Sequence, residues 1–205
     1  MPAFPGLLRA FLHHQLDSPS ELGGGDSDSD EDICNSISPI SVYHSAVASF
    51  YAPSDPSGIR GMRRERIRST PSWRSTGPCC DCTFVVEKQD AQGFRGMSVV
   101  RIMLLFSFTY EGEEYPCALV EWFKKDGRSP DEQTGMWVVK PEEDRQQKRL
   151  VTVVHLDTIL RGAHLIPVYG SSLIPSQFRH YWSLDAFKAF FVNKYTDHHA
   201  NEIAF

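Results

Sequence analysis

Six arginines crowd into fifteen residues: Arg60, Arg63, Arg64, Arg66, Arg68 and Arg74, opposed only by Glu65 and accompanied by Trp73. Guanidinium groups pair bidentately with phosphate oxygens, and an indole can stack on a base or on an arginine. The chemistry this stretch offers is contact with a nucleic-acid backbone. The competing reading is a solvated strand or helix whose arginines pair with carboxylates of the same chain, eighteen of which lie between residues 60 and 205.

Other groupings are poorer. Cys79, Cys80 and Cys82 place three thiols within four residues, yet structural zinc wants a fourth ligand and a spacing that lets the chain wrap the ion. Adjacent cysteines do this badly, so these are read as reduced, buried thiols. His155 and Asp157 stand two apart, with His164 further on, and a Cys–His or Ser–His arrangement can be drawn with Cys117 or Ser171. Nothing at triad-like spacing or on a nucleophile turn supports it. Asp197, His198, His199 and Glu202 have ligand chemistry but lack the HExxH order. The glycine-containing stretches GLLRAF, GGGDSD and GIRGMR lack the strand–loop–helix setting of a phosphate cradle. We therefore expect no catalytic residue, no metal site, no cofactor and no small-molecule substrate.

The element that must position everything else is 97–123, MSVVRIMLLFSFTYEGEEYPCALVEWF, two long apolar strands meeting at Glu111-Gly112. A two-residue turn there sets Tyr110 opposite Glu113, Phe108 opposite Tyr115, Phe106 opposite Cys117 and Leu104 opposite Leu119. Apolar then meets apolar, with Glu121 opposite Ile102 as the one discord. Pro116 cannot donate to a ladder and marks an edge or bulge. Shorter strands are expected at CTFVVE, GMWVVKP and LVTVVHL. In DTILRGAHLIPVYG one helical turn from Asp157 to Gly162 precedes resumed extended chain. Residues 39–52, PISVYHSAVASFYA, fit a helix stripe through Ile40, Tyr43, Val47 and Phe50, although a strand is compatible with their composition. Ser183 is expected to cap a helix carrying Leu184, Phe187, Phe190 and Phe191 on one face.

The chain of 205 residues is long enough for one domain with a core. Its net charge of −5 is uneven: residues 1–59 carry −7 and residues 60–205 carry +2. No hydrophobic run has the length of a membrane span, and the opening residues lack the pattern of a signal peptide. Five cysteines, an odd number, suggest reduced thiols in the cytosol or nucleus. The expected organisation is a short amphipathic helix in 1–17, an acidic disordered linker over 18–36, and a helical or irregular lead-in with the arginine segment over 37–78. A barrel-like domain follows over 79–170, then a C-terminal helical segment over 171–205. The fold class is α+β: a small, curved, mostly antiparallel sheet, or partly open barrel, with flanking helices.

Several blocks, VYHSAVASFYAPSD, RRERIRSTPSW, RIMLLFSFTYEGEEYPCALVEWF, DEQTGMWVV, VVHLDTILRGAHLIPVYGSS and SLDAFKAFFVNKYTDHHANEIAF, resemble the C-terminal region of transposase-like proteins of the Plavaka group of fungal CACTA-type DNA transposons. The resemblance runs from FPGLLRAFLHHQL to the end. It implies a nuclear protein handling transposon DNA, with the catalytic acids of a ribonuclease-H-like core upstream of this region. On that likeness the chain is a non-catalytic accessory module. Cys79 and Cys80 stand where the family tends to show an arginine and an aromatic. The strand order is also similar to a BAH-like small barrel, a likeness of fold alone. The expected function is non-specific contact with nucleic acid, DNA in the first instance. The alternative is a protein–protein interaction module for other transposase domains or chromatin proteins, with no membrane association in either case.

Overall fold

The computed structural model describes residues 4–16, 37–55, 58–88, 90–171 and 173–204. The expected acidic linker, 18–36, lies outside the described residues. The architecture is the expected α+β one: a curled, mostly antiparallel half-barrel with three short helices.

The organising hairpin forms as its sequence dictates. Strands β6 (Met97–Tyr110) and β7 (Glu113–Lys125) pair in the predicted register, Tyr110 with Glu113, Phe108 with Tyr115, Phe106 with Cys117 and Leu104 with Leu119. Glu111 and Gly112 both take positive φ, 51° and 85°, the two-residue turn whose twist suits a hairpin. Beyond Leu104 the register shifts, so Ile102 meets Val120 and Arg101 meets Glu121. The bulge thus turns the predicted mismatch of Glu121 with Ile102 into an ion pair, and it bends the ribbon.

The bent ribbon carries the other strands along both its edges. Strand β5 (Cys82–Val86) pairs with the first part of β6, and β1 (Ser41–Tyr43) with its later part. On the far side, β8 (Val138–Pro141) pairs with the end of β7 and β9 (Val151–His155) with its middle. Pro116 lies one residue beyond the last β7–β9 pair, Cys117 with His155, so its missing donor falls at the end of that ladder. Strand β10 (Ile159–Gly162) extends the sheet beyond β5, while β12 (Phe190–Val192) and β11 (Leu165–Pro167) extend it beyond β8. The short turn between β9 and β10, Leu156–Thr158, is 3-10 rather than α, with His155 Nδ1 accepting from the Asp157 N–H at its start.

Helix α1 (Phe4–Leu16) docks on this sheet. Leu8, Phe11 and Leu12 bury against Phe106, Phe108, Tyr110, Cys117 and Val153. At the end of the helix Gln15 and Leu16 stay exposed, Leu16 by half. A second apolar centre joins Phe84, Phe94, Phe123, Trp137, Val139 and Phe190. A third centres on Val100, Ile102, Leu105 and Val120.

Two expected helices are corrected. Residues 39–52 form β1 and β2 (Ser45–Tyr51), not a helix. Tyr43 and Val47 of the supposed apolar stripe are each nearly half exposed. Ala46, Ala48 and Phe50 face inward instead, because β2 pairs along its whole length with β3 (Met62–Thr70) and adopts the two-residue period of a strand. The lead-in expected as helical or irregular is therefore largely sheet. At the other end, helix α2 covers only Ser183–Ala186, and its cap position falls on Trp182, not Ser183. Phe190 is drawn into β12, where it lies fully buried and edge-on to Phe123 at 5.8 Å. A last helix, α3 (His198–Ala204), closes the described chain.

Candidate nucleic-acid interface

The arginine segment is a strand, and alternation sorts its side chains onto two faces. Arg63, Glu65, Ile67 and Ser69 point one way, toward the body. Met62, Arg64, Arg66 and Arg68 point the other. On the inner face Ile67 enters the core. Glu65 accepts the Gly162 N–H at 3.0 Å and lies 3.6 Å from the Arg161 Nε. Arg63 pairs with Asp55 at 2.8 Å. Of the predicted contact residues, Arg63 is thus turned away from the others.

The outer face is different. Arg64 and Arg66 are exposed, and Arg68 is half-buried. Alternate residues of a strand stand about 6.6 Å apart, so the three arginines leave β3 at evenly spaced points along one row. Arg66 Nη1 donates to the Ser45 Oγ at 2.9 Å, which leans it across β2. The outward residues of β2 are Ser45, Val47, Ser49 and Tyr51, and no carboxylate stands among the outward positions of either strand. The pair's inner face packs on β10 and the core, leaving this one open to solvent.

The ends of the row are furnished by loops. After β3 the chain turns tightly, with the Trp73 N–H donating to the Gly77 carbonyl at 2.7 Å and Arg74 and Ser75 at positive φ. This brings the Trp73 ring under two cations, Arg68 at 4.5 Å and Arg74 at 5.4 Å. The indole therefore stacks on arginines, one of the two roles expected for it, and holds their heads in place. Arg68 also sits 3.8 Å from Asp81, an ion pair that leaves it partly exposed. At the opposite end Arg60 is exposed in the β2–β3 loop. Among the described residues Arg60, Arg64 and Arg66 make no ion pair.

Tyr51 is the site residue that motif reading missed. It is 63 % exposed and faces Met62 across the strand pair. Its ring lies over Gly61, where a Cβ would come within 2.7 Å of it. The signal was present only as period-two alternation through Val47, Ser49 and Tyr51, which the helix reading obscured.

The catalytic alternatives come out as follows. Cys117 and His155 are cross-strand partners, but Cys117 is fully buried and burial pushes its thiol up to about 12. The Nδ1 of His155 is turned to its own neighbour, 3.3 Å from the Asp157 N–H and 3.4 Å from the Asp157 carboxylate, and not to Cys117. The apolar cavity of about 550 Å³ under α1 is lined by His155 but by neither Cys117 nor Asp157. A smaller polar cavity, about 280 Å³, opens beside the β3 edge and includes Glu65, Asp81, Arg161, His164 and Asn193. Each of these is engaged: Asp81 accepts the Arg68 N–H at 2.8 Å, and His164 Nδ1 meets Asn193 Nδ2 at 3.0 Å.

Cys79 and Cys82 are likewise pushed up, to about 11 and about 12, chiefly by burial. Burial thus disfavours the thiolate form at both positions. Asp197 and His199 are occupied elsewhere. Arg161, nine-tenths buried, donates Nη1 and Nη2 to the Asp197 carboxylate at 2.9 and 2.6 Å and lies 3.2 Å from His199 Nδ1. Among the described residues no three His, Cys, Asp or Glu side chains converge on a metal-sized point. No protein-family model, curated protein or solved structure matches the chain.

Proposed function

We propose that this chain is a non-catalytic module that contacts nucleic acid non-specifically through the outer face of β2 and β3. One observation supports the reading: Arg64, Arg66 and Arg68 stand in a single outward row with no carboxylate among the outward positions of β2 and β3, Asp81 reaching only Arg68, at 3.8 Å. The site comprises Arg60, Arg64, Arg66, Arg68 and Arg74, with Trp73 as their support. A row of cations on a face that makes no base-shaped notch neutralises phosphates without reading sequence. The likeness to the C-terminal region of Plavaka-group transposases agrees with this and makes transposon DNA the expected ligand and the nucleus its place of action. The burial of Cys117, which pushes its thiol up, and the turning of His155 Nδ1 to Asp157 support a module without an active site.

The test is a fluorescence-anisotropy titration of labelled DNA across a range of salt. Phosphate neutralisation releases counterions, so affinity should fall with a log–log slope of roughly −2 to −4 for three to five contacts. Binding that ignores salt, or no binding at low salt, removes the proposal. A second reading, a protein-interaction module, rests on the exposed side chains of Tyr169, Leu173 and Trp182 in the segment before α2. Phe190 and Phe191 add nothing to such a surface, since Phe190 is buried and Phe191 half-buried.

A further inference from the structure

The same face has a shape as well as a charge, and the shape discriminates between strands and duplexes. Its cations form one row. A duplex presents two phosphate backbones across a groove, and proteins that hold it place a helix, ribbon or arm into that groove or grip both banks. Nothing on the outer face of β2 and β3 projects in this way. Beside the arginine row lies a shelf of short side chains, Ser45, Val47 and Ser49, each cross-strand from an arginine of the row. The shelf ends in one large ring, Tyr51, 63 % exposed.

That ring is held in a particular way. One side of Tyr51 rests on Gly61, whose φ of 77° and missing side chain let the loop pass beneath it. At the far end the indole of Trp73 is already covered by Arg68 and Arg74, so it orders cations and offers no platform of its own. The face therefore has a polarity: Arg68 and Arg74 gathered on Trp73 at one end, an aromatic platform at the Tyr51 end with Arg60 in the loop beside it, and a shallow floor between.

From this we infer that the outer face of β2 and β3 is a binding site for single-stranded nucleic acid, with the backbone along Arg64, Arg66 and Arg68 and a base stacked on Tyr51. This deepens the arginine-face reading and rests on it. From Met62, opposite Tyr51, to Arg68 the strand advances six residues, about 20 Å, which matches a footprint of about four nucleotides. Stacking on a ring is tolerant of base identity, so the site should take any sequence.

The experiment compares the full chain on two fluorescein-labelled probes, an oligothymidylate of about twelve nucleotides and a mixed-sequence duplex of similar length. The single strand should bind at least about ten-fold more tightly. Tyr51→Ala should weaken single-strand binding by about five-fold or more, leave duplex binding unchanged, and leave the salt slope unchanged because no phosphate contact is lost. Tyr51→Trp should restore the affinity, which a merely structural role for Tyr51 would not predict. Should Tyr51→Ala fail to fold, the comparison of the two probes on the unsubstituted chain decides by itself. Equal affinity for the two probes overturns this inference while the arginine-face reading stands. Binding to neither probe sinks both.

Discussion

Arginine does two opposite jobs in this molecule, and the contrast lies between the buried networks and the outer face of β3. Arg161 and Arg101 are both at least nine-tenths buried, and each is tied to carboxylates from distant segments. Arg161 grips Asp197 with both Nη atoms, approaches Glu65, and lies over the Phe50 ring at 4.8 Å. Arg101 sits 3.5 Å from Glu121 and donates to Asp185 at 2.9 Å. Arg64 and Arg66 carry the same group on a solvated surface and, among the described residues, pair with no carboxylate. A buried guanidinium without a partner is costly, whereas an exposed one loses little by standing alone. The buried arginines are thus committed to holding C-terminal segments against the sheet. The exposed ones are free to meet a polyanion.

The contrast breaks most visibly at Asp197. Replacing it by asparagine leaves Arg161 charged and underpaired in the interior, at an expected cost of about 3 kcal/mol, measured by chemical denaturation. The same bond gives a pH signature. Arg161 holds the Asp197 carboxyl down at about 2, below its ordinary 3.8. A folded value below the unfolded one means that the stabilisation is complete above about pH 4 and disappears as the pH falls through about 2. Burial also lowers His199, so protonating it opposes folding and stability declines in the same direction as the pH drops below the ordinary histidine range. Asp197→Asn should flatten the acid end of the stability profile. A profile identical to that of the unsubstituted chain would show that the pair holds nothing together.

The exposed side of the comparison should behave in reverse. The triple replacement of Arg64, Arg66 and Arg68 by alanine removes three phosphate contacts and one cation over Trp73. Its salt slope on DNA should become shallower by about two to three, with affinity at low salt falling by at least about ten-fold. Stability should change by no more than about 1 kcal/mol, since surface positions contribute little. A triple variant that unfolds, or one that binds as before, would erase the distinction between the two classes of arginine.

How much of this the sequence discloses depends on the range of each interaction. The hairpin register is local: Glu111-Gly112 accepts two positive φ angles, and the pairing follows from the turn. Glu121 was legible as a misfit, but its cure, a shift near Met103 that brings Arg101 across, depends on the bend of the whole ribbon. The stretch from Ile40 to Phe50 misleads because the two faces of β2 differ little in bulk, Ala46 and Ala48 inward against Ser45 and Ser49 outward, which leaves Tyr43, Val47 and Phe50 to imitate a helical stripe. Reading β2 as helix in turn hid Tyr51. The arginines were visible as charge, but which of them face solvent follows only once β3 is a strand. Asp197 lies 36 residues beyond Arg161, and no local pattern links them. Phe190 misled for the same reason, since its partners Phe123 and Val139 lie on other strands.

The smallest effect sharpens the comparison furthest, because it separates neighbours. Arg63 and Arg64 are adjacent in sequence and point to opposite faces. Arg63 binds Asp55 in the β2–β3 loop, while Arg64 stands in the outer row. Arg63→Ala should cost about 1 kcal/mol of stability, the upper end of what a partly exposed ion pair contributes, and leave DNA affinity unchanged. Arg64→Ala should leave stability unchanged and weaken DNA binding by a few-fold, with the salt slope shallower by about one. Both variants remove the same charge, so a mere dependence on net charge predicts identical losses of binding. Equal losses would mean that the protein's overall field attracts DNA and that the row on β3 has no special part in it. Unequal losses in the stated direction place the contact on one face of one strand.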